Sequence, residues 1–177
     1  MRSILVLALL VSACSSESAD NTATAAVADQ FIDAFYSWDE ARLRHVVAAA
    51  SREDIERVLY YQGWAIGAHY KIQTRRPCTQ TGNVATCKIT VTDDFGKAMA
   101  YTATDTFELT LKNDVIVNVT FQGDDPAIFG ELQTWIGEHQ PGIYSGPCKD
   151  LFAGGKTPGD CARAVATAAK TFMNHQN

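Results

Sequence analysis

The hydrophobic period of the chain changes near residue 66, and this change restricts the fold more than any other feature. Before it, apolar residues recur at the helical period over residues 25–36, with a stripe formed by Val27, Phe31, Ile32, Ala34 and Phe35. Two shorter helices are predicted to follow, because Asp39 and Ser51 are side chains that suit a helix N-cap. Three helices therefore precede any strand.

After residue 66 apolar and polar residues alternate, and β-branched and aromatic types are frequent. The alternation predicts strands at about residues 66–78, 84–95, 98–111 and 114–122, with turns at Gly82-Asn83, Gly96-Lys97 and Asn113-Asp114. Connections this short join hairpins, so we expect an antiparallel sheet. Further helices are predicted to begin near Pro126 and Pro158. The sequence thus predicts an α+β arrangement with helices on one face of the sheet.

The N-terminus has the layout of a secretory signal. Arg2 precedes an apolar run at residues 4–11, far shorter than the ~20 residues of a membrane-spanning helix. The run ends in Val11-Ser12-Ala13-Cys14, which resembles the bacterial lipobox and implies cleavage before Cys14 and attachment of acyl chains such as palmitate. We predict a signal peptide at 1–13, a lipidated cysteine with a polar tether at 14–24, and one domain at 25–177. The expected location is the cell envelope, on the periplasmic or extracellular side of a membrane.

Four cysteines remain once Cys14 is assigned to lipid, and they form two local pairs. In an oxidising compartment an even count implies disulfides, and four cysteines allow three connectivities. Short loops close at the lowest entropic cost, which favours Cys78–Cys87 and Cys148–Cys161. The sequence has no close Cys or Cys/His spacing of the zinc-binding type, so no metal site is predicted.

Charge and motifs argue against several classes of function. The full chain has a formal net charge of -5, and loss of Arg2 with the signal makes the mature chain more acidic. Nucleic acid is therefore not an expected partner. The sequence holds no G-x-S-x-G elbow, and every cysteine is assigned to lipid or a disulfide, which leaves no evident nucleophile for hydrolysis. No cofactor is predicted.

The order of the elements resembles one known superfamily. Residues 31–36, Phe-Ile-Asp-Ala-Phe-Tyr, then Trp38-Asp39, a capped third helix and long hairpins resemble the nuclear transport factor two-like fold, with its SnoaL-like and ketosteroid isomerase-like branches. The resemblance covers about residues 25–137, and the tail beyond Gln140 departs from it. It implies N-terminal helices packed on a strongly curved, cystatin-like sheet that encloses an apolar cone, here with an extra disulfide-braced C-terminal helix.

Asp105 is the first candidate for chemistry. It shares one face of the third predicted strand with Tyr101, Ala103, Phe107, Leu109 and Leu111, so its carboxylate falls in an otherwise apolar row. Burial there would raise its pKa or require a partner. We interpret Asp105 as a general acid or base, as a residue turned outward by a β-bulge, or as a structural carboxylate satisfied by a hydroxyl or by Arg76. Asp33, beside the apolar stripe of the first helix, is a second catalytic candidate, or a residue of a solvated helix face.

Aromatic residues mark the expected pocket. Tyr60, Tyr61 and Trp64 cluster at the end of the third helix, and Tyr36 ends the first. Aromatic rings with polar tips suit the wall of an apolar ligand site, and they also occur in ordinary cores. The predicted pocket consists of Tyr36, Tyr60, Tyr61, Trp64, Tyr101 and Phe107.

Three functions are compatible with these features. The first is a membrane-anchored envelope protein that binds a small apolar ligand in the cone, and it requires a closed pocket with few polar groups. The second is a cofactor-free isomerase or dehydratase, which requires an acid and a base in one cavity. The third is an interaction module that pairs through its sheet, for example as a homodimer, and it requires an exposed apolar sheet face.

Overall fold

The computed structural model describes residues 17–176, and it describes side chains from residue 24 onwards. The predicted signal peptide and the lipidation site Cys14 lie outside the described residues. The elements in chain order are α1 (Glu17–Phe35), α2 (Glu40–Val46), α3 (Arg52–Gly67), β1 (Lys71–Arg75), β2 (Thr79–Thr81), β3 (Val84–Thr92), α4 (Asp94–Met99), β4 (Ala103–Lys112), β5 (Val115–Gly123), α5 (Ala127–His139), α6 (Gly142–Ser145) and α7 (Pro158–Gln176). The α+β class is confirmed. Among the described residues, no helix has the length and apolar character needed to cross a bilayer.

The first helix starts earlier than its periodicity indicates. Helix α1 begins at Glu17, so residues 17–24, which fall in the predicted tether over 14–24, are helical. Thr24 is buried, which shows that the domain already begins there. The segment holds two alanines among serine, threonine, aspartate and asparagine, which have modest helix propensity, so its polar composition indicated a linker. Burial of Thr24, one turn before the buried Ala28, shows that tertiary packing supports this extension of the helix.

Local capping fixes the next two helices as predicted. The Asp39 side chain accepts a hydrogen bond from the backbone N–H of Arg42 at the start of α2. The Ser51 hydroxyl accepts one from the N–H of Asp54 at the start of α3. These bonds satisfy N–H groups that have no partner within the helix, so they define where each helix begins.

The sheet is antiparallel, as predicted, with the strand order β1-β3-β4-β5 and with β2 paired to β3. The two central strands are long, and their register places Ile89 opposite Asp105 and Cys87 opposite Phe107. Strands β4 and β5 join through Asn113 and Asp114, which both have positive φ. Two such residues match the twist of a two-residue hairpin. Successive side chains of β3 and β4 point to opposite faces of the sheet. Their burial therefore alternates, because one face of each strand packs in the core.

Two predicted boundaries are wrong. The strand expected over 66–78 is only Lys71–Arg75, because α3 continues to Gly67, and β1 is an exposed edge strand. The expected turn at Gly96-Lys97 lies inside the short helix α4, which separates β3 from β4. Buried Asp93 caps this helix by accepting a hydrogen bond from the N–H of Gly96 at 2.6 Å. Six residues are too few to show a helical period in the sequence.

The buried residues form two cores. The sheet core lies between the sheet and helices α1 to α3, and its largest members are Phe31, Phe35, Leu43, Ile89, Phe107 and Leu109. The helical core lies among α3, α4, α5 and α7, and includes Trp64, Phe95, Phe129, Leu132, Ile136 and Phe172. Helix α3 contributes to both, so the C-terminal helices pack on the side of α3 that the sheet leaves uncovered.

Both predicted disulfides are confirmed. Cys78–Cys87 links the start of the β2–β3 hairpin, and Cys148–Cys161 ties the loop before α7 to the first turn of that helix. The C-terminal helix is thus disulfide-braced, as the sequence indicated. Helix α7 also approaches α3 closely at Gly67, where an added Cβ would meet the carbonyl carbon of Gly159 at 2.7 Å.

Candidate functional site

A cavity of about 50 Å³ lies where the sheet core and the helical core meet. One water needs roughly 10–15 Å³ and a benzene ring about 150 Å³, so the closed cavity holds a few waters and admits a ring only if a wall residue moves. We call it the inner cavity. Its walls are mostly aromatic and include two aspartates, and the lining residues are Phe35, Tyr61, Trp64, Ala65, Tyr70, Phe95, Asp105, Phe121, Gly123, Asp125, Phe129 and Phe152.

Asp105 reaches this cavity from the middle of the sheet. It lies on β4 with the inward-facing row, and only 2% of its surface is exposed. The hydroxyl of Tyr36, at the end of α1, donates a hydrogen bond of 2.6 Å to its Oδ2 atom. The partner is therefore a hydroxyl, one of the two kinds that the sequence suggested. Since Tyr36 holds one carboxylate oxygen, the orientation of the group toward the cavity is fixed.

Burial gives the Asp105 carboxyl an unusual acidity. Loss of hydration disfavours its ionised form and raises its pKa to about 7. The charges of Asp125, Asp93 and Asp124 raise the pKa further, while the hydrogen bond from Tyr36 lowers it. A carboxyl group with this pKa exchanges a proton readily near neutral pH, which is the requirement for a general acid or base.

Further acidic and phenolic groups surround Asp105. Burial raises the pKa of Asp93 to about 6, and burial together with the charge of Asp124 raises the pKa of Asp125. The pKa of Tyr70 is well above its usual value because that phenol is buried and near aspartates. It therefore stays protonated, and it can donate a hydrogen bond into the inner cavity.

The sequence-predicted pocket residues occupy three different positions. Tyr61 and Trp64 line the inner cavity. Tyr36 and Phe107 do not line the cavity but contact residues that do. The ring centroids of Phe107 and the lining residue Phe35 are 4.9 Å apart. Tyr60 contacts Phe152 at the outer side of the site. Two of these five residues therefore line the inner cavity, and the other three do not.

Tyr101, the sixth predicted pocket residue, lies just before β4 and does not line the inner cavity. Its hydroxyl is buried, and within the described part of the chain it has no hydrogen-bond partner. Burial, together with the charges of Asp93 and Asp125, raises its pKa. The phenol is consequently a protonated group close to these two aspartates.

Asp33 lies away from the site. Its carboxylate pairs with the guanidinium of Arg75 on β1, which also bonds Asp29 at 2.8 Å. Asp33 is about half exposed and does not line the inner cavity. The structure therefore does not place this second catalytic candidate beside Asp105, and the solvated helix face describes its position.

Sequence reasoning missed nine of the twelve residues that line the inner cavity, and four of these nine lie outside the long helices and strands. Tyr70 precedes β1, Asp125 precedes α5, Phe95 lies in the short helix α4, and Phe152 lies in the loop before α7. Strand and helix periods therefore carry no information about where these four side chains point.

Comparison with family models, with curated proteins and with solved structures gives no match for this chain. Within the described residues, no group of three or more His, Cys, Asp or Glu side chains is arranged to hold a metal ion. The interpretation of the site accordingly rests on its own geometry.

Proposed function

We propose that the domain is a cofactor-free isomerase or dehydratase that moves a proton within a small uncharged molecule. The observation that carries this proposal is the Asp105 carboxyl, buried in an aromatic cavity, oriented by Tyr36 and poised to titrate near neutral pH. Asp105 acts as the base that removes a proton beside a carbonyl group. Tyr70 is the donor that stabilises the resulting oxyanion, because its hydroxyl stays protonated.

Binding without chemistry is the second candidate, and the inner cavity suits a small apolar ligand in either case. A purely apolar ligand gains nothing from two aspartates in the wall, whereas burying them costs free energy. Acid–base chemistry accounts for them directly. The polar groups that converge on one cavity therefore favour the enzyme over the binding protein.

Pairing through the sheet has the least support. The large exposed apolar side chains are Trp38, Ile66, Ile72, Val115 and Phe152. They belong to different helices, strands and loops, and singly scattered apolar residues are normal for a protein surface. Over residues 24–176, where side chains are described, the sheet thus offers no apolar face of the kind that such a homodimer requires.

The nuclear transport factor two-like cone remains our proposal for the fold family. Three helices precede the strands, helix α1 packs over β3, and a cavity lies between sheet and helices, all of which agree with such a cone. The inner cavity would then be the deep end of the cone. Solved coordinates that superpose on a member of that superfamily through β3, β4 and β5 would test this assignment.

We also propose that lipid on Cys14 anchors the domain in the cell envelope. Two disulfides support an oxidising compartment. Because the thiol accepts the lipid, Cys14→Ser should abolish labelling by radioactive palmitate and shift the protein to the soluble fraction. Unchanged labelling would contradict the lipoprotein assignment.

The proposed chemistry can be tested with small β,γ-unsaturated ketones, 3-cyclopentenone and 3-cyclohexenone. Proton transfer converts each into a conjugated enone, which is followed by its ultraviolet absorbance, and exchange into D₂O is followed by NMR. Asp105→Asn keeps the shape of the side chain but removes the base, so the rate should fall by about 10²-fold or more. Asp33→Asn is the matched control, since it changes an exposed aspartate outside the cavity.

The proposal fails if wild type and Asp105→Asn convert these ketones at the same rate. It also fails if Asp33→Asn lowers the rate as much as Asp105→Asn does. Retention of ketone binding by Asp105→Asn, with turnover lost, would separate the catalytic role of the carboxyl from a role in binding.

A further inference from the structure

A second, larger space lies next to the inner cavity. It is a surface groove of about 630 Å³ formed by helices α2 and α3 and by the loop before α7. We call it the outer groove, and its lining residues are Glu40, Arg44, Glu53, Glu56, Arg57, Leu59, Tyr60, Tyr61, Phe152, Ala153, Gly154, Gly155, Lys156 and Pro158. Tyr61 and Phe152 line both spaces, so their rings form the wall between them.

Phe152 is the part of this wall that can move most easily. Its ring contacts Tyr60, Tyr61 and Trp64 at centroid distances of 5.5, 5.7 and 5.1 Å, yet 43% of the residue is exposed. Trp64, on the inner side, is only 5% exposed. Displacing Phe152 thus breaks one layer of ring contacts and opens the cavity, without disturbing a buried side chain.

The loop that carries Phe152 has an unusual backbone. Asp150, Phe152 and Gly154 all have positive φ, which only glycine adopts without strain. The disulfide Cys148–Cys161 links the start of this loop to helix α7. A short loop with a fixed end and strained interior residues can change the direction of one side chain while its anchor stays in place.

The outer groove differs from the inner cavity in charge. Arg44 is paired with Glu40 and Glu56, and Arg57 is paired with Asp54. Lys156 has no ion pair with any acidic side chain in the described part of the chain. Its ammonium group is therefore a cation that a ligand can neutralise, and it lies on the same loop as Phe152. Glu53, which also lines the groove and has no ion pair in the described part of the chain, lies in the first turn of α3, about two turns before Tyr61 and so farther from the entrance to the inner cavity.

We propose that the inner cavity and the outer groove form one binding site divided by Phe152, and that the substrate has two parts. An uncharged apolar end with the reacting C–H bond enters the inner cavity, and an anionic tail, such as a carboxylate, lies in the outer groove beside Lys156. Phe152 moves aside when the tail passes it and thereby determines substrate length. This inference rests on the proposed function for the role of the buried end.

The first test uses three phenols as probes: phenol, 6-(4-hydroxyphenyl)hexanoate and the corresponding neutral amide. Binding is measured by calorimetry. Phenol should bind through the inner cavity alone, with Phe152 displaced, and the acid should bind up to about fivefold more tightly than its amide, the ratio expected for one exposed ion pair. Lys156→Gln should abolish the preference for the acid and leave the affinity for phenol unchanged. Lys149→Gln, a substitution on the same loop outside the groove, should keep that preference.

Phe152→Ala should speed association of both ligands, because a ring enters the inner cavity only when Phe152 moves, and it should speed association of the long acid by the larger factor. Val115→Ala, an exposed apolar substitution at the far hairpin, is the control and should alter neither rate. Because Phe152 is substantially exposed, Phe152→Ala should fold, and thermal melting will verify this. Phe152→Leu should have an intermediate effect on the association rate of the long acid. Equal association of the long acid with wild type and Phe152→Ala would overturn the role of Phe152. Equal preference for the acid in both lysine variants would overturn the role of Lys156.

A second measurement needs no ligand. In a background with Trp38→Phe and Trp135→Phe, Trp64 is the remaining tryptophan, and acrylamide quenches its fluorescence only when the cavity is open. Phe152→Ala should raise the quenching constant severalfold, and Val115→Ala should not. An unchanged constant would refute the partition. The isomerisation of the small ketones does not depend on the tail or on Lys156, so the proposed function and this inference can fail separately.

Discussion

Asp105 makes the stability of the domain depend on pH in a way that one substitution should remove. The pKa of its carboxyl is raised from 3.8 to about 7 in the folded state, mainly by burial. The folded domain therefore retains this proton where the unfolded chain has lost it. The contribution of Asp105 to stability is present below about pH 4 and is lost as the pH rises through about 7.

The size of this loss follows from the pKa. One pKa unit corresponds to about 1.4 kcal/mol, so a rise from 3.8 to about 7 corresponds to about 4 kcal/mol as an upper figure. The asparagine in Asp105→Asn cannot ionise, so the free energy of unfolding of this variant does not fall by this amount as the pH rises. Near pH 4 the two proteins should differ by only about 1 kcal/mol, because the amide keeps an acceptor for the Tyr36 hydroxyl. Between pH 4 and 8 the variant should gain stability relative to wild type.

Urea unfolding at several pH values between 4 and 8 measures this difference directly. Asp93, whose pKa is raised to about 6, titrates in both proteins, so subtraction leaves mainly the effect of Asp105. Asp33→Asn should follow the wild-type curve, because Asp33 is exposed and paired with Arg75. Parallel curves for wild type and Asp105→Asn would show that the carboxyl is hydrated or ionised throughout, and would refute the reasoning for a buried base.

Three other perturbations test neighbouring parts of the structure. Tyr36→Phe removes the hydrogen bond to the ionised form of Asp105, so it should raise the pKa of that carboxyl further, as measured by carbon-13 NMR. Gly67→Ala should cost about 1–3 kcal/mol in urea unfolding, because a Cβ there meets the backbone of Gly159. Gly130→Ala, on an open helix surface, is its control and should be neutral or stabilising. Selective loss of the Cys148–Cys161 bridge should lower the free energy of unfolding by roughly 2–4 kcal/mol.

Much of the fold could be predicted from the sequence because its signals are local. The caps at Asp39 and Ser51 and the two-residue turn at Asn113-Asp114 depend on neighbouring residues alone. Helix α4 could not be predicted, because its stability depends on burial of Phe95 against the ring of Phe129, far away in the sequence. The start of α1 could not be predicted for the same reason: residues 17–24 are polar and mostly modest helix formers, and packing such as the burial of Thr24 supports the helix there.

The candidate site was predicted only where it lies on a regular element. Strand alternation alone identifies Asp105 as an inward-facing carboxylate, since its neighbours at two-residue spacing are apolar. Tyr36 was assigned to the pocket, but its hydrogen bond to Asp105 joins residues that are 69 positions apart, and no local pattern encodes such a pair. Asp33 lies beside the apolar stripe of α1 and not within it, and it is an exposed partner of Arg75. The periodicity of each element thus separated the two aspartates, but it gave no partner for either.

The C-terminal extension is the part of the chain that makes a closed site out of an ordinary sheet and its covering helices. Helix α7 packs on α3 and α4, and the helical core that it completes buries Trp64 and Phe95, two walls of the inner cavity. The loop before it supplies Phe152, the wall toward the outer groove. Without this extension Asp105 would face a wider and wetter opening, and hydration would return its pKa toward the ordinary value. The disulfide that fixes the extension therefore supports the acidity of a carboxyl group on a distant strand.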